Sequence, residues 1–556
     1  MRLRGLSASV LSAILLALPT CGSAEPAPSP APAGPPRLVV AIAVDQFSAD
    51  LFAQYRQHYT GGLARLTRGA VFPSAYQSHA ATETCPGHST ILTGAHPART
   101  GIIANNWFDL GAPRAEKRIY CAEDERDPAS SPGQPVVSAV HLRVPTLGEW
   151  MKRADPRSRN VAVSAKDRAV MMMGGHQIDE GYWYLQGQFV TLKGRSLAPA
   201  AAGANAALAA TIARGAPALP APAWCAPRDR AIAAGKLTLG QGRFALPAGN
   251  PDAFRVSPRM DAATLDLAGR LVDAMRLGRG AAPDLLSVSL SATDYIGHAT
   301  GSEGMEMCIQ MARLDAALGA FFARLDAAKL DYAVVLTADH GGFDLPERLD
   351  EQALPDAARV DPALVPAALG KALAAELGLA APVPLVLGDG PFGDYYVSRA
   401  VPADQRERVI AALAALAARH PQVVAAFTAA ELAPLPMPAG NPQDWTLRER
   451  ARASFDPQRS GDVVVLLRRA VVPMPVAMPG YVTTHGSPWD YDRRVPLLFW
   501  RKGPPGFTMA GFEQPAPVET VDIAPSLAAL LGLRLPAGTF DGRCLDLDGG
   551  AGDTCR

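Results

Sequence analysis

Six short runs of continuous apolar, mostly β-branched residues punctuate the chain: RLVVAIAV (37–44), NVAVSA (160–165), DLLSVSL (284–290), YAVVLTA (332–338), DVVVLL (462–467) and VPLLFW (495–500). Runs of this length without alternation mark strands buried on both faces. Between several of them apolar positions return every three or four residues, over 262–277, 303–327, 404–419 and 520–531, with a similar stretch from 49 to 66. That period predicts helices. Buried strands alternating with helices predict an α/β fold with a largely parallel central sheet. Two stretches rich in alanine and proline, 197–224 and 352–384, show no clear period and read as peripheral insertions.

The first residues break the pattern. Arg2 and Arg4 precede SVLSAILLAL and then CGSA, the order of a secretory leader cut near Ala24. A lipoprotein cut before Cys21 is disfavoured by Pro19 and Thr20. EPAPSPAPAGPP (25–36) reads as a stiff spacer. No other run approaches the ~18 apolar residues that span a bilayer, so a periplasmic or secreted protein is expected. The remainder reads as one domain, 37–545, with insertions near 170–260 and 345–480 and a tail at 546–556.

Export permits disulfides. Cys544 and Cys555 bracket a Gly/Asp-rich tail and are the expected pair; the other pairings stay open. The absence of CxxC argues against a structural zinc knuckle. The 53 basic and 53 acidic residues balance to +0, so no global field favours a nucleic-acid duplex or a membrane surface. Proline (50 residues) beside 48% apolar content reads as long ordered loops rather than disorder. Oligomeric state is not legible, and a monomer is the default.

In open α/β sheets ligands gather at the carboxyl ends of strands. The first run ends in Asp45. The 284 run leads into SATDYIGH, with Asp294 and His298, and the 332 run into TADHGG, with Asp339 and His340. A loop before the 495 run, VTTHGSPWD, carries His485. Singly, each is ordinary: aspartates close strands as turn formers and histidines make structural hydrogen bonds. Together, three Asp and three His suit two divalent cations, zinc ahead of manganese or iron. Gly341 and Gly342 would let the backbone turn so that Asp339 and His340 converge. Asp294 and His298, four apart, would sit one helical turn apart or in a tight loop, which Gly297 permits.

ATETCPGHSTILTG (81–94) offers Thr82, Thr84, Cys85, Ser89 and Thr90 as nucleophiles. Pro86 suits a helix's first turn, so the residues just before it would meet a positive helix end. VAVSAKDRAV places Lys166 and Arg168 just past a buried strand. GDGPFG (388–393) fits a dinucleotide fingerprint but is followed by DYYVSRAVP rather than a helix, and reads as a turn.

The order Asp, Thr, Asp-x-x-x-His, Asp-His, His resembles that of the alkaline phosphatase superfamily of binuclear-zinc enzymes. The likeness, from about 37 to 545, is greatest to the exported, phosphate-irrepressible bacterial alkaline phosphatases, including those of sphingomonads. The resemblance implies an alkaline-phosphatase-like α/β sandwich and two Zn²⁺ per chain. One zinc would be held by Asp294, His298 and His485, the other by Asp45, Asp339 and His340 together with Thr84.

The family's nucleophile precedes the helix-opening proline by two residues, which selects Thr84 and a phosphothreonine intermediate. Thr82, Ser89 and Thr90 are then structural, and His88 a helix or supporting group. The sulfatase pattern C-x-P-x-R is absent, so Cys85 is not a modified cysteine. Asn105, ahead of its neighbour Asn106, matches the phosphate-binding asparagine. Lys166 and Arg168, with the Cys85 N–H, would hold the other phosphoryl oxygens. Substrates would be small phosphate monoesters, since two added cations favour a dianion. A phosphodiesterase or nucleotide pyrophosphatase of the same superfamily is the alternative. A non-catalytic metal- or phosphate-binding protein is a second. A metal-independent Ser/His/Asp hydrolase ranks last, because no G-x-S-x-G elbow is present.

Overall fold

A computed structural model describes residues 34–379, 384–504, 507, 509–550 and 552–555. The expected signal peptide and nearly all of the proline-rich spacer lie outside the described residues. Ten strands build the central sheet: β1 (Leu38–Val44), β2 (Ala70–Tyr76), β3 (Asn160–Ser164), β4 (Glu180–Leu185), β5 (Gln188–Thr191), β6 (Asp284–Leu290), β7 (Tyr332–Thr337), β8 (Arg494–Lys502), β9 (Phe512–Glu513) and β10 (Val518–Glu519). Their order is β9-β2-β8-β7-β1-β6-β3-β4-β5, with β10 beside β2. The middle, β7-β1-β6-β3-β4, is parallel. β8 runs antiparallel to β7 and β2, and β5 to β4. The sheet is therefore mixed around a parallel heart.

β1, β3, β6 and β7 are buried along their whole length, which is why they read as unbroken apolar runs. The helices Arg259–Met275 and Met305–Ala327 cover the sheet, adding Leu267, Leu271, Leu314, Leu318 and Phe322 to its core. Each such burial contributes about 1.5–3 kcal/mol. The disulfide Cys225–Cys308 ties the second of these helices to the short turn Ala223–Arg228. The expected Cys544–Cys555 disulfide is present. Among the described residues no helix is long and apolar enough to cross a membrane.

Three readings are corrected, and one strand carried no reading. The helix expected over 49–66 is broken into Ala49–Tyr55, the short turn Arg56–His58 and Gly62–Leu66. The Asp315 carboxylate accepts from the backbone N–H groups of Thr60, Gly61 and Leu63 at 2.7–2.8 Å and starts the second helix there. The 197–224 stretch holds the helix Pro199–Arg214, which buries Ala201, Ala204, Leu208 and Ile212, and 352–384 holds Pro366–Leu377. Alanine-rich helices show little contrast between faces, so no period is visible. The DVVVLL run is not in the central sheet. It forms Val463–Leu467 of a separate four-stranded sheet with Val386–Leu387, Gly393–Val397 and Val423–Thr428. Finally, β2 has no clear sequence signal because Pro73 interrupts it. Pairing with β8 skips from Val495↔Ala75 to Leu497↔Phe72, a bulge that absorbs Pro73 and Pro496, neither of which can donate to a ladder.

Candidate active site

The parallel heart of the sheet delivers the acidic residues to one place. Asp45 directly follows β1, and its N–H donates to the Leu290 carbonyl at the end of β6 (2.9 Å). The chain then turns through Gln46 at φ 64°, a left-handed conformation uncommon outside glycine. This brings the Gln46 N–H 3.1 Å from Asp339 Oδ1. Beyond β6 the helix Ala292–Thr300 places Asp294 and His298 one turn apart, with His298 Nε2 3.2 Å from Asp294 Oδ1. Asp339 and His340 follow β7. Asp339 and His340 converge in one group of ligand atoms, as expected, and Gly341 and Gly342 follow them without positive φ. Gly341 is small because a Cβ there would overlap the Tyr491 carbonyl.

Two groups of ligand atoms result, each within 4.8 Å: Asp45, Asp339 and His340, and Asp294, His340 and His485. His340 is common to both, and its ring stacks on His485 with centroids 3.6 Å apart. His298 joins the second group through its contact with Asp294. The donors are arranged for metal. Nδ1 of His298, His340 and His485 each donates to a backbone carbonyl (Thr483, Gly341 and Thr82, each at 2.8 Å), which turns the Nε2 lone pair inward. Asp45 Oδ1, Asp294 Oδ1, Asp339 Oδ2 and His340 Nε2 are buried and make no hydrogen bond. Yet carboxylate and imidazole atoms stand 3.0–3.5 Å apart. Buried polar atoms are normally hydrogen-bonded, so atoms that crowd together without bonding fit a cation between them. The carboxylate and imidazole set fits zinc.

Electrostatics follow from this crowding. Burial, reinforced by Asp294 and Asp339, pushes the Asp45 carboxyl well above the usual range. Burial would raise Asp294 too, but His298 and Lys166 outweigh it and hold that carboxyl well below. Burial lowers His340 to about 3, so its ring is neutral and free to ligate.

Thr84 opens the helix Thr84–Thr93 and is 1% exposed. Pro86 falls in its first turn, where a missing N–H costs nothing. A Cβ on Gly87 would overlap the Asp339 backbone, so glycine lets this helix pack directly on the end of β7. His88 Nδ1 lies 2.9 Å from the Thr84 carbonyl and 3.0 Å from Asp339 Oδ2, joining the helix to that aspartate. Thr82 donates to the Ser487 carbonyl at 2.7 Å, and Ser89 and Thr90 are occupied within the helix and its neighbours. Thr84 is different. Its Oγ1 lies 3.4 Å from Lys166 Nζ and 3.4 Å from Arg168 Nη2.

Lys166 also bridges the two ligand groups, 2.6 Å from Asp45 Oδ2 and 2.5 Å from Asp294 Oδ2. Burial opposes its charge, but these carboxylates raise its pKa. Arg168 keeps a buried Nε without a hydrogen-bond partner. The Cys85 N–H is not a free donor as expected: it donates to Asn105 Oδ1 at 2.8 Å and orients that amide. The Asn105 N–H in turn donates to Glu83 Oε2 at 2.9 Å. Disulfide Cys85–Cys121, not expected from the sequence, staples this region, and the Cys121 N–H donates to the Asn105 carbonyl (2.9 Å).

Glu83, Thr84, Asn105, Arg168, Asp294, His298 and His485 line a cleft of about 720 Å³. Its walls also carry Asp389 and Phe392, and Arg255 and Tyr481, the latter two not singled out by sequence reasoning. Tyr481 stacks on His298 with centroids 4.6 Å apart. Asp389 and Phe392 belong to the GDGPFG turn, a decoy for dinucleotides that nonetheless borders the site. Asn106 points its amide at Asp389 (2.9 Å), leaving Asn105 as the neighbour of Thr84.

Residues 39–488 match the family model described as type I phosphodiesterase / nucleotide pyrophosphatase. The chain is 54% identical over 526 residues to alkaline phosphatase PhoK of a Sphingomonas species, covering 94% of this chain and 93% of the relative. It is 49% identical to alkaline phosphatase PhoD of Zymomonas mobilis, covering 93% and 89%. The crystal structure of wild-type alkaline phosphatase PafA superposes with a TM-score of 0.79 at 25% identity, covering 93% of this chain and 99% of that one.

Proposed function

The chain belongs to the type I phosphodiesterase / nucleotide pyrophosphatase family of the alkaline phosphatase superfamily, and from that premise we propose that it is an exported alkaline phosphatase working through a phosphothreonine. Its natural substrates are small phosphate monoesters. The single observation that carries the monoester reading is the placement of Lys166 and Arg168 at 3.4 Å from Thr84 Oγ1. A monoester dianion gains from both cations, whereas a diester carries one charge less. Each contact of this kind is worth about 3 kcal/mol in the transition state, roughly a hundredfold in rate.

Asp45, Asp339 and His340, and Asp294, His298 and His485, would hold two divalent cations, zinc by their chemistry. When bound, these activate a hydroxyl and neutralise oxygen charge at neutral pH. Thr84 Oγ1 forms the new P–O bond as the ester P–O bond breaks, and the alcohol departs. Water then cleaves the phosphothreonine, restoring Thr84 and releasing phosphate. Asn105, oriented by the Cys85 N–H, and the Arg168 guanidinium grip the non-bridging oxygens through both steps. Lys166 joins them from between Asp45 and Asp294. Three disulfides and the leader-like N-terminus support an oxidising, extracytoplasmic location.

The test is kcat/KM of zinc-loaded protein for an aryl phosphate monoester and the matching aryl diester. A monoester preference of about a hundredfold or more is expected. A diester preference would make the protein a phosphodiesterase, and inertness towards both would make it a binding protein.

A further inference from the structure

Arg255 closes the short helix Pro251–Arg255 and lines the active-site cleft together with Asp294, Tyr295 and His298. Its guanidinium carbon stands 4.7 Å from the Tyr295 ring centroid. Tyr295 directly follows Asp294, so this cation sits beside the ligand group. It has little else to do. Its ion pair is with Asp252, 3.7 Å away and with a side chain 87% exposed, a solvent-screened contact of the kind that contributes little.

The other cleft cations are engaged. Arg118 holds Asp389 at 2.6 Å and Arg168 faces Thr84, while Lys166, outside the cleft lining, bridges two aspartates. The cleft carboxylates have partners of their own: Asp294 is held by Lys166 and His298, Glu83 receives the Asn105 N–H, Asp389 the Asn106 amide and Asp394 the Gly461 N–H. Among the described residues, Arg255 is therefore the cleft cation without a close partner.

Its position sets what it can meet. In-line displacement places the leaving group opposite the attacking oxygen. Thr84 is at the buried floor, so the leaving group points outward, towards the mouth where the Arg255 side chain is 37% exposed. We propose that Arg255 is a specificity-determining residue that recognises an anionic group, a carboxylate or a second phosphoryl-type group, on the leaving group of the substrate. The inference rests on the phosphatase reading and adds a substrate class to it. The phosphoryl end is read by Lys166 and Arg168, and a second anion elsewhere on the molecule by Arg255. A guanidinium suits either anion, offering paired donors in a plane.

The experiment compares 4-carboxyphenyl phosphate with 4-carbamoylphenyl phosphate, and 4-phosphonophenyl phosphate with phenyl phosphate. Each pair gives a ratio of kcat/KM within one enzyme preparation, so partial misfolding of a variant cancels. In Arg255→Gln and Arg255→Ala the ratio for the anionic member should fall about tenfold, with Arg255→Lys between them and the wild type. The wild-type ratio should shrink in 0.5 M salt, since a half-exposed cation is screened. A fall confined to one pair assigns Arg255 to that anion. Ratios unchanged in both pairs overturn the inference while leaving the phosphatase reading intact. Wild-type protein that hydrolyses none of the four esters overturns both.

Discussion

Among the described residues, the knot of carboxylate and imidazole at His96 and the one at the cleft differ in how completely they are tied. At His96, Nε2 lies 3.0 Å from Glu519 Oε2 and Nδ1 3.3 Å from Asp541 Oδ2. The His96 N–H also donates to Asp541 (2.8 Å), and Arg99 adds a 2.7 Å contact. Burial would depress this ring, but Asp541 and Glu519 outweigh it and lift it to about 9. At the cleft, the same residue types leave four atoms of Asp45, Asp294, Asp339 and His340 with no hydrogen bond, and burial drives His340 down to about 3. Buried charge alone does not separate scaffold from chemistry. Closure does: the first knot is complete in itself, and the second is complete only around something it binds.

The contrast is broken most severely at Thr84. Thr84→Ala should lower kcat/KM on the order of 10⁴-fold or more while metal analysis still finds zinc bound, because in the proposed site six other side chains would hold it. Wild-type turnover in that variant would end the nucleophile assignment. A smaller effect is expected at the anion-binding edge. Arg168→Ala should cost about a hundredfold on a monoester and clearly less on the matching diester; equal losses would show that its charge does not select the dianion.

The smallest effect sharpens the other knot. The His96 pKa is raised from its ordinary 6.5 to about 9, so its contribution to stability is full below pH 6.5 and disappears as pH rises through 9. Asp541, lowered to about 2, keeps its contribution until acid pH. The wild-type Tm should therefore drop by a few degrees between pH 6.5 and 10 relative to His96→Asn, which starts lower and stays flatter. Parallel Tm profiles by calorimetry would refute the link.

The parallel heart of the sheet was legible because β1, β6 and β7 are buried on both faces and so write their burial directly as apolar runs. Asp45, Asp294, His298, Asp339 and His340 could be brought to one place from the sequence because they follow those runs, whereas His485 lies in a loop before β8; their individual roles as ligands were given only by the resemblance. What was hidden depends on partners distant in sequence. The break after Tyr59 is made by Asp315, more than 250 residues away. β2 carries a proline that only a bulge opposite β8 accommodates. Cys85 and Cys121 had no spacing signal to pair them, and nothing in the segment around Arg255 indicates that it borders a cleft. The helix Pro199–Arg214 was hidden for a different reason: alanine reads as equally apolar on every face.

Gly87 has a consequence for how such a protein can change. Helix and strand meet there main chain against main chain, so the separation between the Thr84 segment and the Asp339 segment is set by atoms every residue shares. Side chains around the mouth can be exchanged without altering that separation. Whatever those side chains select is thus separable from the spacing of the two segments, which a change at Gly87 would force apart.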